Sequence, residues 1–459
     1  MIHIINRKNK GCLIYIPDKQ ALFTSNPLTA NVLNAYYNNG ESIDDICAQY
    51  LLKREEIANI VKMIESLPCH TNISAENNRH DIEIMVNLAH DCNLRCDYCY
   101  AQAGTYGLKR ELMHEDIGRK CIEFFNLNYK NTNLHFLFFG GEPMLNFRTL
   151  KEICEISENI NPDNNNIFRF RIISNGTILT DEIIDYMKRF KIGFTVSIDG
   201  PQFIHDHLRK YPNGTGSYKK IIVNLTRLKK RYPDCPIIYE ATYTSVHEKY
   251  GYTPADLKMF FEIELGLKNG SIIPVFQTKY VSSNLKPTYF SNTPTEFLEK
   301  GDFIGNPLFY PLSYFVAKRK PRYVCYTGIS HFTVTPNGDI YPCQLFIGTE
   351  NLLMGNVTNK HWGSKYNEVL NNLSGFDKEK NPVCMKCWAK YLCKDCPGNI
   401  YQETGNLIMP TDRCDKKKYS IEALLLKLAE IKEDANKWQN FIELVESCKK
   451  KILEVEVYG

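Results

Sequence analysis

The sequence predicts an α/β protein. A partial (β/α)6 TIM-type barrel carries a small winged-helix-like module before it and a cysteine-rich domain after it. Three observations lead there. Six β-rich apolar runs alternate with helical stretches between residues 82 and 277. Three short β-like runs followed by amphipathic helices occupy residues 1–70. Seven cysteines crowd residues 325–414.

A chain of 459 residues is too long for one ordinary core and implies two to four domains. Hydrophobic content of 43% and charged content of 24% are those of a globular protein. The net charge of +4 is spread along the chain, which argues against a nucleic-acid footprint, since that needs a concentrated basic face. No apolar run approaches the roughly 20 residues that cross a bilayer, and Met1–Lys10 lacks the pattern of a signal peptide, so the expected location is the cytoplasm, with no membrane partner. The 17 cysteines are the anomaly. Several lie in tight C-x-x-C groups in a chain with no export signal, which favours metal binding over disulfides.

In the N-terminal unit, Met1–Ile5, Cys12–Ile16 and Ala21–Thr24 read as strands. Pro27–Asn38, Glu41–Leu52 and a stretch from Arg54 read as helices, the last with Ile57, Ile60, Val61 and Ile64 at helical spacing. Thr71–Asp81, rich in Asn, Ser and His, reads as a linker. The barrel strands are Ile82–Leu88, Leu134–Phe139, Phe168–Ser174, Gly193–Ile198, Pro236–Thr244 and Ser271–Phe276, with helices such as Asp116–Leu127 and Asp181–Phe190 between them. Right-handed crossovers then make the strands parallel, and loops after their C-terminal ends build the active site. Residues 278–320 form an irregular bridge, 321–415 a domain sparse in secondary structure, and Lys416–Val455 a helix.

Cys92, Cys96 and Cys99 form C-x-x-x-C-x-x-C directly after the first barrel strand. Thiolates are the usual iron–sulfur ligands, and three leave one iron of a four-iron cluster open. A structural zinc site would want four ligands. With Tyr98 before the third cysteine, the trio resembles the signature of the radical S-adenosylmethionine (SAM) superfamily. The resemblance implies that Cys92, Cys96 and Cys99 are the catalytic cluster ligands. SAM would chelate the open iron and be cleaved to a 5′-deoxyadenosyl radical.

Further motifs sit where this resemblance requires them. Gly140-Gly141-Glu142-Pro143 follows the second strand, where glycines admit close backbone approach. Ser174 and Asn175 end the third strand, Ser197 and Asp199 the fourth, and Arg209 follows in His205-Asp206-His207-Leu208-Arg209. By resemblance, these residues and Tyr98 form the SAM shell.

The C-terminal cysteines are Cys325, Cys343, Cys384, Cys387, Cys393, Cys396 and Cys414. One or two zinc ions sharing these ligands would make the chain a zinc-stapled, non-catalytic binding protein. The stretch His331–Cys343, with Met354–Val357 and the spacing 384–393, instead resembles the SPASM extension of radical SAM enzymes, which implies two auxiliary [4Fe–4S] clusters and three in all. Cys384, Cys387, Cys393 and Cys414 would hold the distal cluster, and Cys325, Cys343 and Cys396 the proximal one. Cys393 and Cys396 are two residues apart where three is common in the family. Tyr326–Phe332 contains no cysteine for a fourth proximal ligand, which leaves His331 or an open iron. Cys12, Cys47, Cys69, Cys121, Cys154, Cys235 and Cys448 are scattered and receive no function.

Residues 1–70 resemble the recognition element of enzymes acting on ribosomal precursor peptides, which captures a leader peptide as an added strand. The whole pattern looks like that of maturases of cysteine-rich peptides, which join a cysteine sulfur to a carbon. A precursor peptide with a leader and an electron donor such as flavodoxin or ferredoxin are the implied partners. Carbon–carbon crosslinking, epimerisation and sulfatase-maturase-like formylglycine formation are the alternatives. Gln344 stands where sulfatase maturases carry an aspartate base, and glutamine accepts no proton as a carboxylate does.

Overall fold

The structure is a computed structural model and describes residues 1–8, 10–68, 80–160, 162–278, 280–287, 298 and 308–444. Strands β1 (His3–Arg7), β2 (Gly11–Ile16) and β3 (Ala21–Ser25) form an antiparallel sheet in the order β1-β2-β3. Its helices are Pro27–Asn34, Ile43–Tyr50 and Arg54–Glu65, so the expected strand-then-helix order appears. Helix Pro27–Asn34 is capped by the Asn26 side chain and runs into a wider turn over Ala35–Asn39. Ile57, Val61 and Ile64 are the buried stripe of the third helix.

The central sheet runs β11-β10-β8-β7-β6-β4-β12-β13-β14. Its first six members are β4 (His80–Ala89), β6 (Thr132–Gly140), β7 (Ile167–Ser174), β8 (Gly193–Ser197), β10 (Ile237–Tyr243) and β11 (Gly270–Pro274); β5 (Arg95–Cys96) and β9 (Arg209–Lys210) pair separately. These six are parallel throughout, so the partial barrel forms as expected. Alternation decides their faces. Ile82, Ile84, Val86 and Leu88 of β4 are buried against the helices with Phe136, Phe138 and Phe194. Asp81, Glu83, Met85 and Asn87 take the other face, toward the lumen.

The sheet stays open, and the cysteine-rich domain extends it from the β4 edge. Strand β12 (His331–Val334) lies parallel to β4, with Phe332 opposite Ile84, and β13 (Asp339–Tyr341) and β14 (Gly355–Asn356) continue antiparallel. The sequence predicts little secondary structure in this region, because four- and three-residue runs carry little periodicity. The unpaired edge of β4 supplies the missing reason, since its N–H and C=O groups need partners. Phe332 then packs with Phe125, Tyr129 and Trp362, joining the two domains in one core.

Other boundaries shift. His80 and Asp81 belong to β4 rather than to a linker, and 71–79 lie outside the described residues. The bridge contains a helix over Phe309–Val316, while 288–297 and 299–307 lie outside the described residues. The final helix spans Thr411–Glu433, starting early enough to carry Cys414; it breaks at Asp434, resumes over 435–444, and 445–459 are not described.

The N-terminal sheet leans on the cysteine-rich domain. Ile5, Leu13 and Tyr15 share a core with Ala389, Leu392, Ile421 and Leu425. The His3 ring stacks on Trp388 at 3.7 Å and bonds Glu422 at 2.9 Å, and Arg7 pairs with Glu433. Among the described residues no helix is long and apolar enough to cross a membrane.

Candidate functional site

The loop after β4 carries the first thiols. The β5–β9 ladder fixes it, with Cys96 opposite Arg209. Gln102, Ala103 and Tyr106 all adopt left-handed backbone, with φ of 50°, 57° and 54°. That conformation costs energy in non-glycine residues and here serves a site. It aims the Ala103 N–H at the Cys99 sulfur at 3.3 Å. Leu94 N–H reaches the Cys92 sulfur at 3.4 Å, and the Asn175 amide reaches it at 3.8 Å. Such N–H donors suit thiolate. Burial opposes it, pushing Cys92 and Cys96 up to about 12, so these thiols ionise only with a cation such as iron beside them.

Gly140 and Gly141 bring β6 against this loop. A side chain on Gly140 would strike the Ala89 carbonyl, and one on Gly141 the Asp91 carbonyl. Glu142 is fully buried, and its carboxylate takes three donors: Ser174 Oγ at 2.8 Å, Asn175 N–H at 2.8 Å and Met144 N–H at 3.0 Å. It therefore ties the ends of β6 and β7 together, and Pro143 starts the turn that follows. Burial outweighs the donors and raises it to about 7. The Asn175 amide also donates to Asn93 Oδ1 at 2.8 Å.

Asp199 and Arg209 are buried and joined, Nε to Oδ2 at 2.9 Å and Nη2 to Oδ1 at 3.3 Å. The Tyr98 hydroxyl donates to Asp199 at 2.5 Å and the Thr242 N–H at 3.0 Å. Burial would raise the Asp199 carboxyl, but the Arg209 charge holds it below its usual value. His205 links Ser217 Oγ at 2.9 Å to the Asp199 N–H at 3.3 Å. Ser197 lies half-buried on the lumen face, opposite Glu240.

Two further thiol groups form. Cys325, Cys343 and Cys396 are electrostatic neighbours, with the Asn399 N–H 3.4 Å from the Cys396 sulfur. Cys384, Cys387, Cys393 and Cys414 form the other, and buried Lys378 beside them donates to the Cys393 carbonyl at 2.7 Å. Burial pushes both Cys393 and Cys396 up to about 11. Among the described residues no three Cys, His, Asp or Glu side chains close around a single metal ion. His331, half-buried and lowered to about 4 by desolvation and then Lys394, bonds Ser330 at 3.1 Å.

Sequence reasoning missed several side chains. Tyr100 and Tyr106, edge to face at 6.2 Å, are electrostatic neighbours of both Cys99 and Cys343, so they stand between the first and proximal thiol groups. Both His90 ring nitrogens are buried with no hydrogen-bond partner among the described residues. Orphaned buried donors of this kind mark places for a bound group. Two carboxylates, Glu83 and Glu240, face the lumen with no hydrogen bond or ion pair among the described residues. Burial raises both, Glu83 to about 7. Each was visible as a lone acid inside an apolar strand.

Comparison with known proteins assigns this arrangement. Residues 86–244 match the radical SAM superfamily, and residues 325–388 match the SPASM iron–sulfur cluster-binding domain, short of Cys393, Cys396 and Cys414. The cysteine-type anaerobic sulfatase-maturating enzyme of Clostridium novyi is 23% identical over 367 residues, 74% of this chain and 93% of that protein. The radical SAM cyclopropyl synthase TigE of Paramaledivibacter caminithermalis is 27% identical over 212 residues, 43% of either chain. The solved structure of native anSMEcpe with bound AdoMet shares the fold, with a TM-score of 0.61 at 19% identity, covering 77% of this chain and 99% of that one. The chain thus carries a radical SAM domain over residues 86–244, followed by a SPASM iron–sulfur cluster-binding domain.

Proposed function

We propose that this chain is a peptide maturase that joins a cysteine sulfur to a carbon of a ribosomally made, cysteine-rich precursor. When bound, the cluster and SAM supply a 5′-deoxyadenosyl radical that removes a hydrogen atom from an unactivated carbon. The chain's residues do the rest. Cys92, Cys96 and Cys99 hold the SAM-binding cluster, and the other two groups hold the auxiliary clusters. Gly140, Gly141, Ser174, Asn175 and Ser197 border the SAM position. Glu142, Asp199, Tyr98 and Arg209 keep it in shape: Tyr98, Asp199 and Arg209 bind one another, and Glu142 binds Ser174 and the N–H groups of Met144 and Asn175. Residues 1–70 receive the leader.

One observation carries the reading. The proximal group has three thiols, and it shares Tyr100 and Tyr106 with the first group. A three-thiol group leaves room for a substrate thiol close to the radical, which is proximity catalysis. Formylglycine formation is the second reading, favoured by the sulfatase-maturating relative and opposed by Gln344 after Cys343. The test is mass spectrometry of the precursor encoded beside the gene, after anaerobic incubation with enzyme and SAM. A thioether removes two hydrogens and one free thiol. A carbon–carbon link removes two hydrogens and spares the thiol, epimerisation leaves the mass unchanged, and an aldehyde from cysteine loses the sulfur; any of these three overturns the proposal.

A further inference from the structure

Glu142 and Asp199 are engaged by protein donors: Ser174, Asn175 and Met144 bond the first, and Arg209, Tyr98 and Thr242 the second. Glu240 is not engaged in this way. Its neighbours in β10, Tyr239 and Ala241, are buried in the core on the helix side. Alternation therefore turns Glu240 to the lumen, where it is half-buried. Ser197 of β8 and Ser271 of β11 flank it in register, and neither carries charge. Its charged neighbours are Arg209, which is bound to Asp199, and Arg171 of β7, which donates to Thr195 Oγ1 and the Pro236 carbonyl. Burial outweighs both cations and raises the carboxyl. Tyr100 marks the position, because its electrostatic neighbours include Cys99, Cys343 and Glu240, which come from three separate segments. Glu240 thus stands across one tyrosine from the first and proximal thiol groups. An acid raised by burial and left free in a lumen is a candidate for proton transfer. A thiol must lose its proton when its sulfur is joined to carbon, and Gln344, next to Cys343, cannot take it.

We infer that Glu240 is the general base of this site, accepting the proton of the substrate cysteine as its sulfur bonds to carbon. Glu240 takes this role only if the thioether reading holds. One S–H and one C–H bond break, and one S–C bond forms. The hydrogen atom of the C–H bond leaves in 5′-deoxyadenosine, the thiol proton goes to Glu240, and the remaining electron goes to an auxiliary iron–sulfur cluster. Glu83, the other lumen carboxylate, has Lys394 and Cys325 as its electrostatic neighbours instead.

The test compares the full chain, reconstituted anaerobically, with Glu240→Gln and Glu240→Asp, using SAM and the precursor encoded beside the gene. Thioether product is counted per 5′-deoxyadenosine released. At neutral pH, Glu240→Gln is expected to lower that ratio by roughly a hundredfold while SAM affinity and iron content hold. Glu240→Asp is expected to restore part of it. Above the free thiol value of about 8.5 the substrate ionises unaided, and the ratio of the Gln variant is expected to climb toward the parent's. A side chain that merely supported the fold would give no such rescue. A second readout needs no cluster. The folded carboxyl lies above its unfolded value of about 4.3, so its contribution to stability is complete below the latter and is lost as pH rises through the folded one. In denaturation of the cluster-free protein, Glu240→Gln is therefore expected to gain on the parent from about pH 5 to about pH 8. An unchanged ratio in Glu240→Gln, a loss that high pH does not rescue, a loss of SAM affinity, or a stability gap constant with pH each overturns the inference. So does a lowered ratio in Glu83→Gln with Glu240→Gln intact. A parent whose product is not a thioether overturns the functional reading along with it, whereas a thioether made equally well by Glu240→Gln overturns the base assignment alone.

Discussion

Arg209 donates to Asp199 across 2.9 Å in a buried pair that also receives the Tyr98 hydroxyl, so the thiol loop, the end of β8 and the residue after helix Gln202–Leu208 are held at one carboxylate. Removing one partner leaves the other charge buried alone. Asp199→Ala is expected to cost about 3–5 kcal/mol of stability, read by chemical denaturation of the cluster-free protein. The folded carboxyl lies below its unfolded value. The pair's contribution is therefore complete above the usual carboxylate value of about 3.9 and is lost as pH falls through the folded one.

Glu142 behaves in the opposite sense. Its folded value of about 7 exceeds the unfolded carboxylate value of about 4.3, so its contribution is complete below the latter and declines as pH rises through 7. The stability advantage of the parent over Glu142→Gln is expected to shrink from pH 4.5 to 7.5 in the cluster-free protein. Glu142→Ala strands three buried donors at about 1–3 kcal/mol each and is expected to weaken SAM binding by calorimetry as the β6 and β7 ends separate.

The thiol groups are expected to fail separately. Cys92→Ala abolishes SAM cleavage. Cys343→Ala keeps it while abolishing crosslinking, and iron content drops from about twelve to about eight per chain if three four-iron clusters are present. Retention of crosslinking by Cys343→Ala would count against a role for the proximal group.

Phe332, like Trp362, belongs to the cysteine-rich domain but is buried against Phe125 and Tyr129 of the barrel. Phe332→Ala is expected to cost about 3–5 kcal/mol. Because the core is shared, one lowered thermal transition should appear in calorimetry rather than two.

Deleting residues 1–70 uncovers Ala389, Leu392, Ile421 and Leu425. The truncated chain is expected to aggregate in light scattering, whereas Trp388→Ala, which removes one stacked contact, is expected to remain monodisperse and melt earlier.

Local chemistry was legible in the residues themselves. Period-two apolar runs marked the six parallel strands, because alternating faces are a property of the strand alone. Cysteine spacing marked the thiol loops, and Gly140-Gly141 marked a close approach, because those needs act within a few residues. Only the tertiary structure decided which distant groups meet. It sent Cys393 and Cys396, two residues apart, to different thiol groups. It turned Glu142 and Asp199 toward protein donors, laid β12 on the open edge of β4, and set Tyr100 and Tyr106 between Cys99 and Cys343. Burial and pairing are sums over neighbours far apart in the chain, and periodicity carries no record of them.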